Sequence, residues 1–323
     1  MSINLQLPSS RSAAAAPAVR QAASRGRPYY RWYVPFLFIL PGLTLYLMWS
    51  VYPLAYQLYI SFFDWKIMPG QVSEFVGLAN YQRAFNDSIF WLALRNTAAY
   101  AIVTVIGQMV LGFAVAMLVH RVIIGKRVFR AIYYLPVVTS WVVVSFLFQY
   151  LFSSSASGLV NYVLVHLLRV VPEPISWMAN SDTAWIVIYA LGIWKGVGWA
   201  MVIFLAALQS IPTELYEAAA IDGAGEFQQL FKLTLPLIRR TTIFVLVALM
   251  IGGFQVFLSV LLITGGGPLH RTEVALSYMF NRAFGRLDFG YGAALSYILA
   301  TIIVLISFAQ MRFFNRSTLD LEY

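Results

Sequence analysis

The chain contains no cysteine, so neither a disulfide framework nor a thiolate metal site is open to it. Its three histidines, His120, His166 and His270, are far apart and form no ligand-spaced pair, and no metal site is expected. Charge is scarce: 11% of residues are Asp, Glu, Lys or Arg, where a soluble domain carries about 25%. A phosphate-cradling GxxxxGK[ST] loop is also missing. The nearest approach, "IIGKRV", has His120 where the first Gly belongs and Arg127 where Ser or Thr is needed. Nucleotide hydrolysis by that motif is therefore excluded, and no catalytic residue is expected.

What is present is apolar surface. Hydrophobic residues make up 60% of the 323 positions and the mean hydropathy is +0.74, against about 45–50% apolar in ordinary soluble chains. Runs of about 20 apolar residues mark membrane-spanning helices. Six are predicted, at residues 32–63, 96–119, 131–152, 183–208, 241–263 and 291–311, and only Lys195 interrupts the fourth. Helices are expected because lipid cannot satisfy exposed backbone groups, and period-two alternation is absent. Pro41 and Pro53 are expected to bend the first span without ending it. No Asp or Glu lies inside any span. That disfavours an ion-coupled secondary transporter, the alternative reading, and equally an intramembrane enzyme.

The net charge of +9 is distributed unevenly. The side holding both termini carries fourteen cations and six acids, and the opposite side seven of each. By the positive-inside rule both termini face the cytoplasm, and the asymmetry points to membrane lipid as the partner and not to nucleic acid. Residues 1–31 read as a disordered basic cytoplasmic tail and 316–323 as a short cytoplasmic tail. A transit peptide would share the Ala, Ser and Arg bias of the N-terminal tail, and a removable signal peptide is not expected.

Between the fourth and fifth spans runs "ELYEAAAIDGAGEFQQLFKLTLPLI", residues 214–238. Thr213 is predicted to cap a helix with Glu214 and Glu217 in its favoured first turn. Gly223 and Gly225 mark a turn, and Phe227, Leu230, Phe231 and Leu235 give the following helix one apolar stripe. Pro236 closes it. The pattern alone allows a helical hairpin lying on the headgroups or a protein-docking element.

The exact residues narrow that choice. "EAAAIDGAGEFQQLFKLTLPLI" resembles the EAA loop of ABC-importer permeases, with Glu217, Ala218, Ala219, Asp222, Gly223 and the downstream Pro236 in place. "LPGLTLYLMWSVYPLAYQLYISFFDW", "FVGLANYQRAF", "LQSIPTELYEAAAIDGA" and "LLITGGGP" resemble the carbohydrate-uptake branch of that family, and the likeness spans residues 33 to 314. It implies an all-α polytopic membrane protein of the type I ABC importer transmembrane fold. Six transmembrane helices and a cytoplasmic coupling loop at 213–238 are expected. The first helix and its external segment would occupy 32–91 and the transmembrane type-1 domain 92–315.

The resemblance further implies a bacterial-type inner-membrane permease that couples ATP hydrolysis to import of a di- or oligosaccharide or a related polyol. Implied partners are a second homologous permease, a dimer of ABC ATPase subunits carrying the ATP and Mg, and an extracytoplasmic substrate-binding protein. Glu217 would anchor the loop in the ATPase. Gly223 would allow its turn, and Phe227 and Phe231 would fill the ATPase groove or brace the loop itself. In the fourth and fifth spans, Gly196, Trp199, Gly253 and Gln255 are expected along the cargo pathway, with Phe254 as a wall. Lys195 is expected to snorkel toward the outer interface and Gly252 to serve helix packing. Tyr33, Trp49, Trp91 and Tyr291 are expected in interfacial belts. The external connections read as solvated surface that would receive the binding protein, with 264–268 forming a turn.

Overall fold

The computed structural model describes residues 31, 33–121, 125–155 and 158–319. All of the predicted N-terminal tail except Arg31, and the last four residues of the chain, lie outside these. The chain divides into two compact units, with the boundary after Leu54.

In the first unit α1 (Val34–Tyr46) continues through a wide π turn at Leu47–Val51 into the start of α2 (Tyr52–Ile60). Pro53 has no N–H and its ring crowds the carbonyl one turn back, so the backbone widens there instead of closing a normal turn. Pro41 sits inside α1 without ending it. The 27-residue stretch is apolar enough to cross a membrane as one span, as expected.

The second unit begins with a minimal hairpin, β1 (Phe63–Asp64) against β2 (Glu74–Phe75), antiparallel with Phe63 opposite Phe75. A short α3 (Ala79–Asn86) leads into α4 (Ser88–Arg121), a 34-residue helix that is the longest element of this unit. The predicted third span is not continuous. It is α5 (Lys126–Val138) followed by α6 (Trp141–Leu151), bent by 96° at Thr139 and Ser140. After α7 (Leu159–Tyr162), α8 (Ser181–Gln209) forms the fourth span. The polar segment is α9 (Thr213–Ile221), α10 (Glu226–Gln229) and α11 (Leu235–Leu237). The fifth span is also broken: α12 (Arg239–Phe254) stops, and α13 (Leu258–Ile263) resumes after three residues. Then α14 (Ala275–Phe280) precedes α15 (Phe289–Leu319), the sixth span.

Helices α4 and α8 pack along each other; α4 contributes to three apolar clusters and α8 to two of them. Phe204, Met201 and Leu205 meet Ala116 and Val119 near the polar segment. Leu191 and Ile188 lie with Tyr100 and Val260 in the second cluster, and Phe90, Tyr291 and Leu295 fill the third. Interior apolar contact here adds packing, not hydrophobic drive, because lipid is as apolar as the core.

Candidate functional site

Two breaks in the spans shape one cavity. At the first, α5 ends at Val138, two residues past Pro136, and its last carbonyls have no helical donors. Lys195 Nζ donates to the Pro136 carbonyl at 2.8 Å, to Thr139 at 2.6 Å and to Val137 at 3.4 Å. The side chain is 5% exposed. Lys195 therefore does not snorkel: three backbone acceptors hold it inside the bundle. Ser140 accepts from the Val142 amide at 3.3 Å and starts α6 in its new direction.

At the second break, Gly253 lets α12 lie directly against α4, since a Cβ there would stand 2.9 Å from Ala101 Cα. A Cβ on Gly252 would meet nothing within 4 Å. The packing and pathway roles expected of these two glycines are thus exchanged in their side-chain space, although both border the cavity. Phe254 is buried in the core and does not line the cavity; Phe257, turned by the break, takes the wall position.

The cavity has a volume of about 510 Å³ and includes Gly196, Trp199 and Gln255, as expected, together with Trp141, Gln108 and Thr104. Gly196 makes room for Gln108, whose amide crosses to the Gly192 carbonyl at 2.9 Å. The Gln255 side chain is exposed to the cavity and has no hydrogen-bond partner among the described residues. Trp141 was invisible in the sequence as a wall residue because its place depends on the 96° bend before it.

The polar segment forms a separate site. Helix α9 begins with Pro212 in the cap position and Thr213 as its first helical residue, without the predicted side-chain cap. It ends at Ile221, where the Ala218 and Ala219 carbonyls accept from the Asp222 and Ala224 amides at 3.0 and 2.9 Å. Gly223 has φ +79°, the left-handed conformation that a tight helix exit requires. Helix α10 passes through a π turn at Leu230–Thr234 into α11, which carries Pro236 and ends at Leu237. A 69° bend leads into α12. Tyr216 and Thr234 are joined at 3.0 Å across the hairpin, and Arg121 at the end of α4 pairs with Glu226 at 3.0 Å.

The apolar stripe divides. Leu230 and Leu235 are half-buried against the bundle, whereas Phe227 is 80% exposed and Phe231 61%. Glu217 and Asp222 are exposed, and their carboxylates have no partner among the described residues.

At the opposite ends of the helices, Asp87 accepts from the Tyr278 and Tyr291 hydroxyls at 2.5 and 2.6 Å and from the Ile89 and Phe90 amides. Burial works against its charge, but those four donors outweigh it and hold the carboxyl below the usual carboxylate range. Burial, with help from Asp87, pushes the Tyr278 hydroxyl up to about 12. Tyr291 is fully buried here and so is no belt residue. The connection 264–290 is likewise not merely solvated surface. Glu273 is 1% exposed, accepting from Ser277 at 2.6 Å and facing His270 Nδ1 at 2.9 Å. Asn96 on α4 donates to the Arg271 and Glu273 carbonyls at 3.0 and 2.9 Å. Gly265 and Gly266, at φ +60° and +86°, form the turn expected at 264–268. These networks join residues up to 204 positions apart, a separation at which the sequence carries no pairing signal.

Two broken spans around a cavity and a helical hairpin beyond them meet a family model described as "Binding-protein-dependent transport system inner membrane component", which matches residues 108–318. The chain belongs to this family. It is similar to the arabinooligosaccharides transport system permease protein AraP of Halalkalibacterium halodurans, with 34% identity over 280 residues, 86% of each chain. The lactose transport system permease protein LacF of Rhizobium radiobacter is 32% identical over 276 residues, covering 85% of this chain and 91% of that protein. A solved bacterial alginate ABC transporter, in complex with an alginate pentasaccharide-bound periplasmic protein, has a chain that superposes with a TM-score of 0.78 at 21% identity. The match covers 88% of this chain and 95% of that one. The fold is therefore that of a type I ABC-importer permease, and the chain is an inner-membrane transport component.

Proposed function

We propose that this permease forms half of the pathway of an ATP-driven, binding-protein-dependent importer of a carbohydrate. The observation that carries the reading is the exposed hairpin. It presents Glu217, Asp222, Phe227 and Phe231 outward, while Leu235 and the Arg121–Glu226 pair tie it to the bundle and Tyr216–Thr234 braces it internally. That arrangement supports docking on a separate ATPase, which would carry the ATP and Mg. Glu217 would anchor the contact and the two phenylalanines would enter a groove. Closure of two ATPase subunits would push the hairpin as a lever on α12 and swing the spans between outward- and inward-open states.

A second permease of the same kind would complete the cavity, since one chain supplies only one wall. The ends bearing Asp87 and Glu273 would face a substrate-binding protein. Both termini and the hairpin would lie in the cytoplasm, as the charge distribution favours. Sugar-specific relatives support a carbohydrate cargo, and the aromatic and amide wall suits one.

Gly223 tests the coupling. In the assembled importer, Gly223→Asn keeps the turn, because Asn tolerates the left-handed conformation, and it should retain part of the coupled activity. Gly223→Asp also keeps the turn but places a charge in the contact. It should insert normally and lose at least about tenfold in cargo-stimulated ATP hydrolysis, a cost of about 1.4 kcal/mol. Normal uptake by the Asp variant overturns the docking role.

A further inference from the structure

Lys195 is the one charged residue on the cavity wall among the described residues, and its position would suit an anionic cargo. Its donors are already committed. An ammonium has three N–H groups, and the Pro136, Val137 and Thr139 carbonyls are three acceptors at 2.8, 3.4 and 2.6 Å. Those carbonyls end α5, where the partial negative charge of a helix collects, so the cation is countered where it sits. The Trp141 ring covers it at 4.9 Å from the ring centroid. A carboxylate or phosphate reaching this wall would find no free charged donor and would have to strip Lys195 from the break it supports.

The groups left free are uncharged. Thr104 gives its hydroxyl hydrogen to the Tyr100 carbonyl at 2.7 Å, and Gln108 spends an amide N–H on the Gly192 carbonyl at 2.9 Å while keeping its Oε1 as an acceptor. The Gln255 amide has no partner among the described residues, nor do the indole N–H groups of Trp141 and Trp199. A free amide, the amide oxygen of Gln108 and two flat indoles bearing neutral donors match a hydroxylated ring without charge.

We propose that this permease carries a neutral, hydroxyl-rich cargo, read by Gln255, Trp141 and Trp199, and that Lys195 is a positioning residue withheld from the cargo. The proposal rests on the importer reading above. It is tested in proteoliposomes holding the complete importer, with ATP inside and each probe at a concentration that saturates the binding protein. The probes are lactose, an arabinotriose and, as the anionic counterpart, trigalacturonate.

Neutral probes should accumulate at least tenfold faster than trigalacturonate. Gln255→Leu should raise KM for the neutral probe about tenfold with a smaller change in maximal rate. Lys195→Met should lower uptake of every probe while leaving the neutral-to-anionic ratio within about twofold, and Lys195→Arg should restore part of the rate. Trigalacturonate carried as fast as the neutral probes, or a ratio that moves tenfold in Lys195→Met, overturns the proposal. Failure of every probe to accumulate with ATP is a different result and overturns the importer reading itself.

Discussion

A carboxylate that accepts from two tyrosine hydroxyls and two backbone amides stays ionised despite its burial, and Asp87 is in that position. Its folded-state pKa is lowered, so its contribution to stability is present above the unfolded value of about 3.9. That contribution is lost as pH falls through the folded value. Asp87→Asn keeps the shape and removes the charge. It should destabilise by about 1–3 kcal/mol at neutral pH, and the gap from the parent should close in acid; thermal unfolding in nanodiscs from pH 7 to 3 measures it. Tyr278 acts in the opposite window. Its pKa is raised to about 12, so its contribution is intact below about 10 and disappears as pH rises through 12. A Tyr278→Phe variant should therefore lose the parent's extra alkaline sensitivity in that range. Both groups were plain polar residues in the sequence, because the partners that shift them come from distant elements.

At the scale of elements, the spans were legible and their interruptions were not. Apolar run length identifies six crossings, yet α5 and α6 fit one run and meet at 96°. Pro136 lies near the bend, but α1 accommodates Pro41 without breaking, so a proline alone does not decide. The decision comes from Lys195 on another helix, which satisfies the carbonyls that the break exposes. The glycine pair of α12 makes the same point, since neighbours in sequence face different surroundings. Gly253→Val should overpack α12 against α4 and cost about 1–3 kcal/mol in stability. Gly252→Val has open space, so it should fold normally and instead slow uptake by narrowing the cavity. Parallel unfolding and transport assays on the two variants separate these outcomes.

For the whole molecule, orientation and dependence on a motor are the properties at stake. The absence of cysteine makes single-cysteine labelling direct. Val72→Cys, at a position 81% exposed, should react with an impermeant maleimide in right-side-out vesicles. Glu214→Cys, on the exposed hairpin, should react only in inverted ones. The reverse pattern would overturn the charge-based orientation. The purified chain alone in lipid should neither hydrolyse ATP nor accumulate sugar, measured by phosphate release and tracer uptake.

Composition, run length and the family motif were enough to establish a polytopic helical permease of the importer family. Each of these is local: hydropathy acts residue by residue, and the hairpin's turn and exposed face are written in consecutive positions. The cavity wall, the breaks that open it, the committed valences of Lys195 and the Asp87 network were decided only by tertiary structure. Each depends on groups from separate elements meeting in the packed interior, where an unpaired polar atom is costly and must find its partner wherever the chain brings one.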